Sequence, residues 1–469
     1  MAVYPASVAF LLLWLWVSLK DPDKGVTVVL ATLPFGMFAA LSVGGLAILM
    51  PYLLATLTFT VFFLRRASGQ IRAISVQRPG FYLLLYAVYG VFSAVVLVRF
   101  FAGDFLVFPL TFDRLGTKVS IFISSTMKPL APVNSNISQT AYLVMSVLFF
   151  ITAADVFRRR GPAILEKGLV WAAGLNIVLG ALDMAGTDGI LALIRTADYA
   201  LGNELRIFGF PRVIGGFSEA AAFGAFSAAL AGYFGASYLI GRRTSHGALA
   251  VGNVLCAMMA FSSTGYGALG VVVLLILLHA RHFLGHGLSR AFGHWLIIML
   301  AGALIALSIA VIATPFLDTA GDVVNRLFLQ KAASTSGLER SAWARSGLNA
   351  FVQTWGLGAG VGSLRGNGMT SVLLGSVGLP GTVLFLCFLW SALGPVGRIG
   401  DPNGTRLFYS GRVGALTYLS ALMVSGTTPD PSLILVSLAA VAARARQYPG
   451  LATGVGVSGS LKARGAVNG

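Results

Sequence analysis

The feature that most constrains this chain is its succession of apolar runs, each about 18 to 25 residues long and separated by short basic or glycine-rich connections. An α-helix rising 1.5 Å per residue needs about 20 residues to cross a hydrocarbon layer roughly 30 Å thick, so each run is a candidate membrane span. The composition agrees. Of the 469 residues, 57% are hydrophobic and 10% are charged, whereas soluble domains carry roughly 25% charged residues. That leaves too few polar side chains to cover a soluble globule of this size. Ten-residue segments of alternating polarity, the mark of a membrane β-barrel, are absent. The expected fold class is an all-α polytopic membrane protein.

Spans are expected near 4–19, 26–43, 46–64, 81–101, 139–157, 164–183, 217–240, 247–263, 265–280, 294–313, 370–394, 408–426 and 432–446. The stretches 26–64 and 247–280 are each one long apolar run split at glycines, so the total is twelve or thirteen. Met1 to Leu19 lacks the basic start of a cleavable signal peptide and reads as a first, short helix. Residues 1–451 form a single membrane domain, and 452–469 are a Gly/Ser-rich tail expected to be disordered.

The net charge of +17 does not point to nucleic acid, because the basic residues cluster between apolar runs as the positive-inside rule requires. One set of loops carries Lys20 and Lys24; Arg65, Arg66, Arg72 and Arg78; Arg158, Arg159, Arg160 and Lys167; Arg242 and Arg243; Arg281 and Arg290; Arg398, Arg406 and Arg412. With Arg444, Arg446, Lys462 and Arg464 of the tail, that side holds 21 of the 33 basic residues. It is expected to be cytoplasmic, as is the C-terminus. The opposite side carries three long segments, 102–139, 185–216 and 314–369. Loops beyond about 12 to 15 residues are usually functional or disordered. The chemistry is therefore sought there, on partly ordered, membrane-skimming helices.

Those external segments are rich in arginine beside acidic and glycine residues. Arg206 and Arg212 precede Gly215-Gly216-Phe217-Ser218-Glu219 at a helix start. Arg326 and Lys331 precede Glu339-Arg340-Ser341-Ala342-Trp343-Ala344-Arg345, and a glycine run from Gly356 to Gly362 leads to Arg365. A guanidinium presents a fork of donors matched to phosphate oxygens, and glycines let backbone N–H groups approach an anion. Lone external arginines also serve as headgroup anchors, and a carboxylate such as Glu219 also suits a helix N-terminus for electrostatic reasons. Arg340 and Arg345, five residues apart, sit on different helix faces. The glycine run lacks the preceding strand of a dinucleotide site.

Other constellations are weaker. Asp21-Pro22-Asp23 is formally a DxD motif, but turn chemistry explains Asp and Pro in so short a connection. All five histidines (His246, His279, His282, His286, His294) fall by the basic side, and none is available externally as a base. Cys256 and Cys387 lie in apolar runs and imply neither a disulfide nor a zinc site. Intramembrane charges are few, Asp155 and Asp183 among them. That scarcity counts against an ion-coupled transporter, which buries ionisable groups near the midplane.

The ordered set of external motifs resembles the O-antigen ligase and polymerase superfamily. Arg206…Arg212-Val-Ile-Gly-Gly-Phe-Ser-Glu219 looks like its arginine, glycine and acidic helix-start segment, and Ser262-Ser263-Thr264-Gly265-Tyr266-Gly267 like its turn between paired helices. Glu339 to Trp343, Gly356 to Gly362, and Gly378-Leu-Pro380-Gly381 resemble its large periplasmic loop and the helix that follows. The resemblance spans roughly 200–395 and implies a GT-C-like inner-membrane glycosyltransferase. Its substrates would be undecaprenyl-diphosphate-linked glycans, and it would need neither a metal nor another cofactor. Membrane lipid and a chain-length regulator or other export proteins would be its partners, and nucleic acid would not. Carried over by position, Arg206 or Arg212 and Arg340 would hold the diphosphate, followed by Arg365, and Arg345 is a further candidate from the same loop. The residues themselves make Arg340 a catalytic candidate, with Glu219 or Glu339 as base. Trp343, Trp355 and Phe217 contact sugars. Ligases of this superfamily carry a histidine late in the large loop, and Arg365-Gly-Asn367-Gly-Met-Thr-Ser371 has none. The expectation is thus a polymerase of repeat units, with ligase as the alternative and a flippase of lipid-linked oligosaccharide as the alternative of another class.

Overall fold

Proline sets where several of these runs become helical. Pro5, Pro51, Pro79 and Pro402 each stand in the first turn of a helix, where the missing N–H costs nothing and the fixed φ favours the helix. The computed structural model describes residues 2–43, 46–71, 76–110, 127–197, 206–207, 210–279, 335–396, 399 and 401–447. Among them the principal helices are α1 (Pro5–Lys20), α2 (Gly25–Thr32), α3 (Met50–Ala67), α4 (Arg78–Phe100, with one π-helical turn at Ser93–Leu97), α5 (Asn134–Arg160) and α6 (Ala163–Met184). They continue as α7 (Ala220–Gly241), α8 (Thr244–Met259), α9 (Ser263–Leu278), α10 (Thr335–Gln353), α11 (Met369–Leu393), α12 (Pro402–Ser425) and α13 (Leu433–Ala445). Six of these (α4, α5, α6, α7, α11 and α12) are long and apolar enough to cross a membrane. Among the described residues the strands form only small open sheets. The fold is all-α and membrane-embedded. The expected span 294–313 and the tail 452–469 lie outside the described residues.

The helices alternate between two polar rims. At the basic rim, Asp23 accepts from Arg65 at 3.0 Å and from both terminal nitrogens of Arg159 at 2.9 Å. Asp155, with a fully buried side chain, accepts from Arg158 at 2.8 Å and from Arg159 at 2.6 Å. Asp21 takes Arg160 at 2.6 Å. Burial pushes the Asp23 carboxyl up, but Arg159 and Arg65 outweigh it and hold the group below the usual carboxylate range. The DxD carboxylates are thus joined to arginines that tie the α1–α2 turn to the ends of α3 and α5. A second buried chain runs from Glu166 of α6 through Arg406 of α12 (2.5 Å) to Ser237 of α7 (2.8 Å) and His246 of α8 (2.8 Å).

Between the rims lies an apolar interior. α13 is buried along its whole length, and α7, mostly Ala, Gly and Phe, is buried on nearly every face against α8, α9 and α12. A helix that is apolar all round belongs in such a centre. Gly224 of α7 and Gly265 of α9 bring these helices into backbone contact, since a Cβ on either would come within 3.1–3.2 Å of the other's Cα. This contact sets the starts of α7 and α9 side by side.

Two expected spans are not continuous helices. The run 26–43 stops at Thr32, and Ala39–Val43 pairs instead with Leu46–Leu49 as an antiparallel hairpin. Pro34 and Gly36 end the helix, and Met37 N–H goes to the Gly216 carbonyl at 2.8 Å. The run 370–394 breaks at Gly378 (φ 60°, ψ −163°), two residues before Pro380. The carbonyls freed by the break accept from the glycine run: Ala359 N–H reaches Gly375 O at 2.7 Å, Gly360 N–H reaches Ser376 O at 2.9 Å, and Leu379 N–H returns to Gly356 O at 2.8 Å. Unsatisfied backbone groups in an apolar layer cost several kcal/mol each. The glycine run therefore completes α11, and its N–H groups are not a free anion nest.

One buried carboxylate was not foreseen. Asp430, between α12 and α13, accepts from the Tyr52 hydroxyl at 2.5 Å and from Ser432 N–H at 3.1 Å, and burial pushes it up to about 6.

Arg159→Gln leaves Asp23 and Asp155 buried without their shared cation, and should cost about 3–5 kcal/mol of stability. Arg160→Gln removes a half-exposed pair and should cost about 1 kcal/mol or less. Thermal unfolding of the two variants in one detergent checks the contrast, which an equal shift would remove.

Candidate functional site

The rim opposite the basic one gathers three connections. The first is the backbone before α7. Arg206 lies in a two-residue strand paired with Phe210–Pro211, and its side chain falls outside the described residues. Beyond this hairpin, Asp183 at the end of α6 accepts the N–H groups of Ile214 and Gly215 at 2.6 and 3.0 Å. Its other oxygen takes Arg195 at 2.5 Å. Arg195 also donates twice to Gly215 O, at 2.9 and 2.6 Å. This clamp fixes the chain between Arg212 and Glu219. Arg212 Nε faces the Ala260 carbonyl at 3.5 Å, the outer limit of a hydrogen bond. Glu219 is the N-cap residue of α7, and its side chain makes no capping hydrogen bond.

The second connection is α10, which presents Glu339 and Arg340 half-buried, Trp343 buried and Arg345 exposed. The third is the glycine run. At its far end Arg365 N–H donates to Phe108 O at 2.7 Å, and the guanidinium lies 4.2 Å from the Trp343 ring centre. The run is held by side chains from α4 and α5: Tyr89 on Leu357 O at 2.9 Å, Asn136 on Val361 O and Ser135 on Gly362 O, both at 2.7 Å. Gly360 and Gly362 have φ of 97° and 81°. A Cβ there would run into the Ser93 and Ser135 carbonyls, so only glycine permits this path.

The electrostatics join the three connections. Burial lowers the Arg212 pKa, Glu219 and Tyr266 support its charge, and Arg340 opposes it. Burial likewise lowers that of Arg365, which Glu219 and Glu339 support and Arg340 opposes. Arg212, Arg340, Arg365, Glu219 and Glu339 thus share one field, with three guanidiniums against two carboxylates. Among the described residues neither Arg212 nor Arg340 forms an ion pair. A partly desolvated cluster short of negative charge attracts an anion.

Other expected site residues stand elsewhere. Phe217 is engaged by packing, 5.0 Å from the Phe226 ring and 6.2 Å from Phe223, with its edge against Gly36. Trp355 is exposed and contacts Phe100 and Phe101 at 6.4 and 5.5 Å, on the apolar flank of α4. Trp343 lies beneath Arg365 as its support. Arg326 and Lys331 lie outside the described residues. Tyr266 was missed, although its turn was singled out. Its hydroxyl donates to Met258 O at 2.9 Å, and the side chain lies near enough to influence Arg212. Among the described residues no group of three or more His, Cys, Asp or Glu could hold a metal ion.

Fold and rim together define a membrane-embedded helical protein with a cationic polar cluster at one face. No protein-family model matches the chain, and no curated protein matches it.

Asp183→Asn, which weakens both the Arg195 pair and the two backbone acceptances, should destabilise the protein by about 3 kcal/mol. It should also lower the affinity of the rim for inorganic pyrophosphate, read by calorimetry on the purified protein. An unchanged midpoint and unchanged affinity would mean the clamp does not position Arg212.

Proposed function

We propose that this chain is a polymerase of undecaprenyl-diphosphate-linked oligosaccharide repeat units, working at the external face of a bacterial inner membrane. The observation that carries the reading is the convergence of Arg212, from the connection before α7, with Arg340 and Arg365, from two parts of the segment 314–369, beside Glu219 and Glu339. The resemblance of these segments to the O-antigen ligase and polymerase superfamily supplies the substrate class. In this reading the basic rim faces the cytoplasm, and the segment 314–369 belongs to a large periplasmic loop.

The growing glycan on its lipid diphosphate is the donor. A hydroxyl of the incoming lipid-linked repeat attacks the donor's anomeric carbon, and the bond from that carbon to the diphosphate oxygen breaks. Negative charge gathers on the departing diphosphate, so fixed guanidiniums stabilise the transition state more than the ground state. Arg340 is the central donor, because its charge bears on both Arg212 and Arg365. The Trp343 ring backs the Arg365 guanidinium at 4.2 Å. Glu219 or Glu339 takes the proton of the attacking hydroxyl. The absence of histidine between Arg365 and Ser371 favours repeat-unit polymerisation over ligation to a separate acceptor.

Removing one such donor typically costs a factor of about 10²–10³ in rate. A deletion strain should carry single-repeat glycans on its gel profile, rescued to long polymer by the wild type and not by Arg340→Ala. Full-length polymer left on the carrier lipid would make the chain a ligase. Repeats stranded in the cytoplasm would make it a flippase.

A further inference from the structure

A second cationic feature lies at the other rim, apart from the external cluster. The starts of α4 and the ends of α11 and α13 enclose, with α12, a cavity of about 1220 Å³. That exceeds the roughly 300–1,000 Å³ of ordinary small-molecule pockets. Its polar part holds Arg78, Arg412 and Arg446, and no Asp or Glu is among its described lining residues. Arg446 donates to two neutral carbonyls, Ser391 O at 3.0 Å and Gly394 O at 2.6 Å. Arg412 and Arg446 flank the Phe408 ring, at 5.8 and 5.1 Å from its centre. The Nε atoms of both are buried and have no hydrogen-bond partner among the described residues. Burial and the charge of Arg412 both press on Arg446, and no carboxylate offsets them.

The opposite wall is apolar and faces outward. Leu386 is 55% and Trp390 71% exposed, and both line the cavity with Tyr82. They lie on α11, one of the helices long and apolar enough to span a membrane. An unbalanced positive floor beneath an outward-facing apolar wall matches a ligand with an anionic head and hydrocarbon tails. A soluble anion would leave the wall unused, and a neutral lipid would leave the guanidiniums uncompensated, which is costly for partly buried charge. Basic pockets between helices at the inner leaflet recognise phosphate-bearing headgroups in this way. We propose that this cavity is a binding site for a net-anionic phospholipid, with the headgroup phosphate on Arg78, Arg412 and Arg446 and the acyl chains along Tyr82, Leu386 and Trp390.

The site stands on residues separate from the external cluster, so it is independent of the polymerase reading. Native mass spectrometry of the full chain in detergent, titrated with phosphatidylglycerol or phosphatidylcholine, tests it. The expected result is one saturable phosphatidylglycerol adduct at least tenfold tighter than any phosphatidylcholine adduct. Arg412→Gln should weaken it tenfold or more, whereas Arg243→Gln, an exposed arginine on the same side, should leave it unchanged. Leu386→Trp keeps every arginine and fills the mouth, and should also weaken the adduct, which guards against misreading a fold defect in the arginine variant. Equal affinity for the two lipids, or full retention in both cavity variants, would overturn the proposal. Displacement of phosphatidylglycerol by millimolar inorganic phosphate would overturn the lipid assignment in favour of a free anion.

Discussion

The exchange of hydrogen bonds between the glycine run and the broken helix α11 is the constraint on which the external face depends. A helix interrupted at Gly378 inside an apolar layer exposes carbonyls that no water can satisfy. Ala359 and Gly360 supply the missing donors, and Leu379 donates back to Gly356. The run can come this close only because its glycines lack Cβ atoms and take positive φ. Once docked, it fixes where Arg365 emerges. Arg365 in turn lies over Trp343, on the helix α10 that also carries Glu339 and Arg340, and Arg340 bears on Arg212 as well.

Charge is distributed by the same economy. At the basic rim the buried Asp155 is held by arginines at the end of its own helix, while Asp23 and Glu166 each sit on an arginine from another part of the chain. These pairs fasten helices to one another. At the opposite rim Asp183 is used up in the same manner, holding a backbone turn. What remains there, Arg212 and Arg340 with the supported Arg365, is cation in excess of carboxylate. Structural acids are paired at both rims, and Arg212 and Arg340 mark where a ligand with negative charge would be held.

Much of the fold was legible because it follows from length and polarity. The apolar runs became helices, and the basic clusters gathered at one rim. The failures have a local cause. The run 26–43 is apolar enough to span, but Pro34 and Gly36 stop the helix, and the strand 39–43 is chosen by pairing with Leu46–Leu49, which hydropathy does not register. The glycine run suggested an anion nest because its N–H groups looked unclaimed. Gly356, Leu357 and Gly358 donate locally to Phe351 and Thr354, but Ala359 and Gly360 donate to Gly375 and Ser376 of α11, a connection no local pattern announces. At the site, arginine and glutamate in a segment that should be poor in charge were visible signals. The packing of Phe217 on Gly36, the removal of Trp355 to the flank of α4, and the approach of Tyr266 to Arg212 are tertiary outcomes that spacing alone does not contain.

The central claim is that the three external arginines form one site for a lipid-linked diphosphate. The most direct measurement is equilibrium binding of undecaprenyl diphosphate to the purified protein in nanodiscs made from zwitterionic lipid, for wild type and for Arg340→Gln. The account predicts saturable binding to the wild type, weakened by at least tenfold in the variant and relieved by free pyrophosphate. Binding of equal strength to both proteins, or none to the wild type, would contradict it.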